Sequence, residues 1–229
     1  CNTIFSKWLK NGRHQEDIFC SKCFPQNHSS YEYEFIDFLN SKYNDKIIHG
    51  YRMNNGKEID IYIPKYNLGI EINGIYWHRD NQYRHIDKHN FAKNEGIKLI
   101  QFTDLDLNEN KMLCYNMILN QLDIDITKIG ARKTSFKEIS TQECKEFMEK
   151  NHINGYASSS YKYGLFYNDE LILSASFKKS RFKENNLELI RFATKQGYRV
   201  IGGLSKIIKN CKIKKFVTYA DLHYGDGSC

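Results

Sequence analysis

Glu58-Ile59-Asp60-Ile61-Tyr62-Ile63-Pro64 alternates apolar and polar residues, and Leu68-Gly69-Ile70-Glu71-Ile72 follows after a Lys65–Asn67 turn. Period-two alternation is a strand signature, and Pro64 ends the first run. The two runs predict a hairpin. Isoleucines 59, 61 and 63 share one face in this reading, so Asp60 and Tyr62 point to the other. Glu71 lies in the partner strand, flanked by Ile70 and Ile72. A tight hairpin brings Asp60 and Glu71 side by side. Two carboxylates at that distance repel and call for a cation between them. A hard, oxygen-ligated ion such as Mg2+ fits, and its use is to polarise a phosphate oxygen and lower the pKa of a bound water.

Upstream, Ser29-Ser30-Tyr31-Glu32 has capping-box spacing before the apolar positions Phe35, Ile36, Phe38 and Leu39. This predicts a helix from about Ser30 to Tyr43, with Glu32 and Glu34 near its start. A short strand is predicted at Ile47–Arg52. Downstream, Asn73-Gly74-Ile75-Tyr76-Trp77-His78 opens into Arg79, Asp80, Arg84, His85, Asp87, Lys88 and His89. His78 suits general acid or base work, and Lys88 or Arg84 can hold a phosphate. Trp77 can stack on a base or simply pack. Singly, each of these residues is more often structural; together with the acidic hairpin they favour a site. A helix from His85 to Glu95 ends at Gly96, and Ile97–Phe102 predicts an apolar central strand. A polar helix at about Lys111–Leu122 closes an α/β domain.

The run of these pieces resembles a known family. Ser29 to Glu32, Glu58 to Pro64, Gly69 to His78, Tyr83 to Lys88 and Gly96 to Phe102 look like the phage homing endonucleases with an E-D-x-H-D active site. Those are similar to the very-short-patch mismatch repair endonuclease and belong to the wider PD-(D/E)xK nucleases. The resemblance covers about the middle third of the chain. It implies a PD-(D/E)xK-type mixed sheet flanked by helices and hydrolysis of double-stranded DNA. Site roles fall to Glu32, with Glu34 as competitor, to Asp60, to His78 and to Asp87. Glu71 stands at the second acid of the larger group. Asn73 stands where that group has Lys, and Lys88 is the candidate replacement.

Residues 1–28 hold Cys1 and the Cys20-Ser21-Lys22-Cys23 pair. A CxxC is half of a four-ligand Zn2+ site, with Cys1, His14 or His28 able to add to it. A stretch this short and polar needs a staple to fold. The resemblance implies a zinc-binding segment that helps grip DNA, and Lys7, Lys10, Arg13 and Lys22 suit phosphate contacts. The chain starts at Cys1 and stops at Cys229, so both ends read as cuts through a longer protein. Seven cysteines, an odd number and mostly scattered, make a poor disulfide framework and suit a reducing cytoplasm; the resemblance places that in a bacterial host during phage infection. A net charge of +7 favours a polyanionic partner. Neither a membrane-spanning run nor a signal peptide is present.

A boundary is predicted near Asp125–Lys133, where charge rises and apolar periodicity lapses. It separates an endonuclease domain at 29–126 from a second, truncated α+β domain at 134–229. There the predicted elements are a helix at Thr141–Asn151, a hairpin of Tyr163–Tyr167 and Leu171–Phe177, strands at Leu187–Ala193 and Lys215–Tyr219, and a helix at Gly202–Asn210. Arg199-Val200-Ile201-Gly202-Gly203-Leu204-Ser205-Lys206 resembles the pyrophosphate loop of the acetyl-CoA-dependent N-acyltransferase (GNAT) fold, and Tyr219-Ala220-Asp221 fits it. A DNA-contacting accessory role is favoured for this GNAT-like domain, on the basic run Lys178, Lys179, Arg181 and Lys183. The rival functions are a DNA-binding module with an inactive nuclease fold and an N-acyltransferase.

Overall fold

The computed structural model describes residues 29–74, 82–180 and 186–225, with residues 82–86 described in backbone alone. The chain is mixed α/β. Its described residues form a four-stranded sheet, a five-stranded sheet and a two-stranded parallel ladder.

The first helix, α1 (Ser30–Asn40), starts on the expected box: Glu32 N–H donates to Ser29 Oγ, and Ser29 N–H donates to Glu32 Oε1 at 2.7 Å. Four strands follow, β1 (Ile48–Arg52), β2 (Glu58–Ile63), β3 (Leu68–Asn73) and β4 (Lys98–Thr103). The first three are antiparallel neighbours; β4 joins β3 in parallel through α2 (Gln82–Asn94). Between β2 and β3 the chain turns through Pro64–Tyr66 and Asn67, whose φ of +45° an asparagine tolerates. The long α3 (Asp104–Leu122) then packs with α1 on one face, over Ile61, Ile63, Leu68, Ile70, Ile100 and Phe102. On the other face Ile59, Tyr62, Ile97 and Leu99 pack with Ala92 of α2.

Two expectations about this sheet need correction. Ile59 does not share a face with Ile61 and Ile63; it packs in the opposite cluster. The cause lies at Asp60. The β2–β3 ladder runs only as far as Ile61↔Ile70, and beyond it Ile72 N–H donates to the Asp60 carboxylate. Gly50, opposite Asp60 on β1, has φ +68°. A side chain thus takes the place of a ladder partner, and alternation lapses there. Nor is β4 central: it is the last strand of its sheet. It is apolar because helices cover both its faces, and Gln101 N–H on its outer edge donates to His223 O at 2.6 Å.

The predicted boundary segment carries structure of its own, β5 (Thr127–Gly130) and a 3-10 turn at Ala131–Lys133. Next come β6 (Ser135–Glu138), α4 (Thr141–Asn151), β7 (Tyr161–Tyr167), β8 (Glu170–Lys179), β9 (Leu187–Thr194), β10 (Tyr198–Ile201), α5 (Gly203–Asn210) and β11 (Phe216–Thr218). The five-stranded order is β11-β9-β8-β7-β6, antiparallel except for β11 beside β9. Asn168 and Asp169 both have positive φ, the backbone that a two-residue hairpin turn requires. Strand β5 pairs in parallel with β10. Among the described residues, no helix is long and apolar enough to cross a membrane.

Candidate active site

Hairpin β2–β3 and the start of α1 put three acids into one electrostatic environment. Glu32 is 5% exposed and uses both oxygens: Oε1 caps its own helix, and Oε2 lies 3.0 Å from His49 Nε2 of β1. Asp60 accepts the Ile72 amide at 2.7 Å. Glu71, 8% exposed, bonds through Oε1 to Lys88 Nζ of α2. Its Oε2 is buried and accepts no hydrogen bond among the described residues.

The charges act on one another. Burial first, and then the Glu71 charge, push the Asp60 carboxyl up to about 8; Glu32 adds to this, while the Ile72 amide and Lys88 pull it back. Burial also raises Glu71, against the pull of Lys88. A carboxylate pair in a low-dielectric pocket holds a proton unless further positive charge is supplied. Among the described residues, Lys88 is the lysine bonded to this pair, which leaves that demand open. The isoleucines beneath make the cost tolerable, since each fully buried Ile or Leu stabilises the fold by roughly 1.5–3 kcal/mol.

The site residues read from sequence do not all converge. Glu32, Asp60, Glu71 and Lys88 do. Glu34 is exposed and pairs with Lys111 of α3, away from Asp60 and Glu71, whereas Glu32 lies within electrostatic reach of both. Asp87 sits on α2 beside Lys88 with its side chain exposed. His78 lies outside the described residues, as do Cys1, Cys20 and Cys23 with the rest of the expected zinc segment. Arg181 and Lys183 of the basic run also fall outside them.

Three participants were not singled out from sequence as site residues. His49 reaches Glu32 across 17 positions, a tertiary contact that strand periodicity does not signal. Asn73 is buried, and its amide donates to Gln101 Oε1 at 3.4 Å. Gln101 did leave a signal, as the one uncharged polar side chain inside the apolar run Ile97–Phe102. Asn73 and Gln101 make a neutral pair beside Glu71, which faces Gln101 across β3 and β4, and the positive charge at Glu71 is that of Lys88.

Among the described residues, no group of three His, Cys, Asp or Glu side chains stands ready-made to hold a metal. Two acids remain a fitting set for Mg2+, which keeps several waters and binds through one or two carboxylates plus substrate phosphate. The orphaned Glu71 Oε2 and the raised Asp60 carboxyl are what an added cation would relieve. Compared with protein-family models and with curated proteins, the chain matches none.

Proposed function

We propose that the chain is a Mg2+-dependent DNA endonuclease of the phage homing type, with a PD-(D/E)xK-like unit at 29–126. The observation that carries this reading is the Asp60–Glu71 pair: a half-buried and a buried carboxyl on adjacent strands, coupled to each other, with one oxygen unpartnered and one lysine bonded among the described residues. A purely structural core has no use for such a pair, because burying charge without full compensation destabilises. Mg2+ bound by Asp60 and Glu71 would polarise a phosphate oxygen and lower the pKa of an attacking water.

The chain's own groups have distinct parts. The Ile72 amide holds Asp60 oriented. Lys88 pulls Glu71 toward its charged form, against burial, and puts positive charge where a phosphate arrives. Glu32, fixed by its helix and by His49, supplies a third acceptor within electrostatic reach of Asp60. His78 is proposed for proton transfer to the leaving oxygen, Asp87 as its acidic partner, and Cys1, Cys20 and Cys23 as Zn2+ ligands. The second unit is read as GNAT-like in shape, with an accessory role on DNA.

The test is plasmid nicking by the full chain with Mg2+ and with EDTA. Asp60→Ala is expected to lower the rate by roughly 100-fold or more, the scale on which one lost stabilising group acts, while DNA retention in a gel-shift assay stays. Glu34→Ala, on the exposed side of α1, should nick like the parent. Undiminished nicking by Asp60→Ala sinks the site. DNA retention without Mg2+-dependent nicking by the parent chain favours the inactive-fold reading.

A further inference from the structure

The second sheet buries a carboxylate that the cleavage chemistry does not use. Glu188 lies near the start of β9, opposite Lys178 of β8 and Val217 of β11. It is 7% exposed, and its Oε2 accepts no hydrogen bond among the described residues. Buried acceptors in native structures are nearly always satisfied, so an orphaned one calls for an explanation. Glu188 also lines a cavity of about 280 Å3, together with Lys178, Ile190, Arg191 and Tyr219.

The walls restrict what can enter. The orphaned oxygen asks for an N–H or O–H donor. Lys178 and Arg191 stand on the same cavity, which disfavours an ammonium and favours a ligand that carries an anion elsewhere. Arg191 is held in place: its Nε donates to Gly155 O at 3.0 Å and its Nη1 to Ile190 O at 3.0 Å. Ile190 adds an apolar wall, and Tyr219, 67% exposed, offers a ring on which a flat heterocycle can stack. A nucleobase bearing an exocyclic amino group, on a phosphate-carrying strand, meets all four conditions. Carboxylates read cytosine by accepting from its N4 amino group. Thymine and uracil present a carbonyl oxygen at that position, which a carboxylate repels.

We infer that this cavity captures an unstacked, amino-bearing nucleobase of a nucleic-acid strand, with the amino group donating to the Glu188 carboxylate and the phosphate held toward Lys178 and Arg191. Base capture needs neither Asp60 nor a cation, so the inference stands apart from the cleavage reading.

The experiment titrates the full chain, in EDTA, with dCMP and with dUMP, followed by NMR or calorimetry. The two differ on one base edge: cytosine has an amino group at C4 and a bare N3, uracil a carbonyl at C4 and an N3–H. The expected result is that dCMP binds roughly five- to 100-fold more tightly, the discrimination one good base contact gives. Glu188→Gln, whose amide can face either group, should bring the ratio close to one. Lys178→Ala should weaken dCMP while leaving cytidine, which lacks the phosphate, unchanged. Equal binding of dCMP and dUMP overturns the inference, as does an unchanged ratio in Glu188→Gln. So does failure of both nucleotides to bind at millimolar concentration, or displacement of dCMP by putrescine, which marks an ammonium site. If Glu188→Gln fails to fold by circular dichroism, the dCMP-to-dUMP ratio of the parent chain decides alone.

Discussion

Asp60 carries a carboxyl that burial and the neighbouring Glu71 charge push up to about 8. In the unfolded chain the same group titrates near 3.9. The folded state therefore binds the proton more tightly than the unfolded state does. The sign follows from linkage: this group favours folding fully below about pH 4, and the contribution is lost progressively as pH rises through about 8. Asp60→Asn removes the titration and keeps the shape. In EDTA it should raise the melting temperature by several degrees at pH 8 and leave it nearly unchanged at pH 4. Scanning calorimetry at the two pH values checks this. An equal shift at both values means that the carboxyl charge is not the cause. Added Mg2+ should stabilise the parent chain at pH 8 and not the variant, because a cation that binds only the folded state shifts stability by mass action. The hairpin that carries Asp60 and Glu71 was legible in sequence because two strand-like runs about a short turn are a local pattern, though alternation itself lapses at Asp60. The Glu32–His49 contact and the Asn73–Gln101 bridge were not, because each joins residues brought together only by packing.

At the scale of elements, what the sequence hid was local chemistry in unfamiliar form. The helix expected at Lys111–Leu122 is present, and a further helical stretch from Asp104 precedes it across a kink at Asn110. Apolar periodicity is weak over Asp104–Asn110, and Asn110 breaks the helix with φ −134° and ψ 33°. The start is set by a capping box that uses Asp in place of Glu or Gln: Asp106 N–H donates to Thr103 Oγ1 at 3.1 Å, and Thr103 N–H donates to Asp106 Oδ2 at 2.8 Å. The strands β5 and β10 were missed for another reason. Each is four residues long, and their pairing joins segments far apart in the chain, so neither shows a pattern alone. Thr103→Val deletes the capping oxygen and keeps the branched shape. It is expected to cost about 1 kcal/mol. Urea unfolding should show this as a lower midpoint with an unchanged slope. A midpoint equal to the parent's would mean that Tyr224, whose hydroxyl also donates to Asp106 at 3.1 Å, fixes this helix start instead.

Across the whole molecule, the segment read as a boundary is tied into the fold. Charge and lost periodicity mark Asp125–Lys133 as a boundary; there Thr127–Gly130 is hydrogen-bonded to β10, and Lys206 of α5 donates to Ala131 O at 2.9 Å. Arg199, in β10, closes the joint on the end of α3. Its Nε and Nη2 donate to Asn120 Oδ1 at 3.1 and 2.8 Å, and its Nη1 to Asp123 Oδ1 at 2.9 Å. A cation at a helix C-terminus also meets the negative end of the dipole. The Asp123 pair is about two-fifths exposed on both sides, so most of its Coulomb energy is screened. The half-buried bonds to Asn120 carry the remainder, and Arg199→Ala should cost about 1–2 kcal/mol in all. Trypsin reads this more sharply than a melt. Lys128, Arg132 and Lys133 are exposed but lie in the held segment, so the parent chain should resist cutting there. Arg199→Ala should be cut within 127–133 first, into an amino-terminal piece with Asp60 and Glu71 and a carboxy-terminal piece with the Glu188 cavity. If the variant is cut there no faster than the parent, the β5–β10 ladder holds the joint without the arginine.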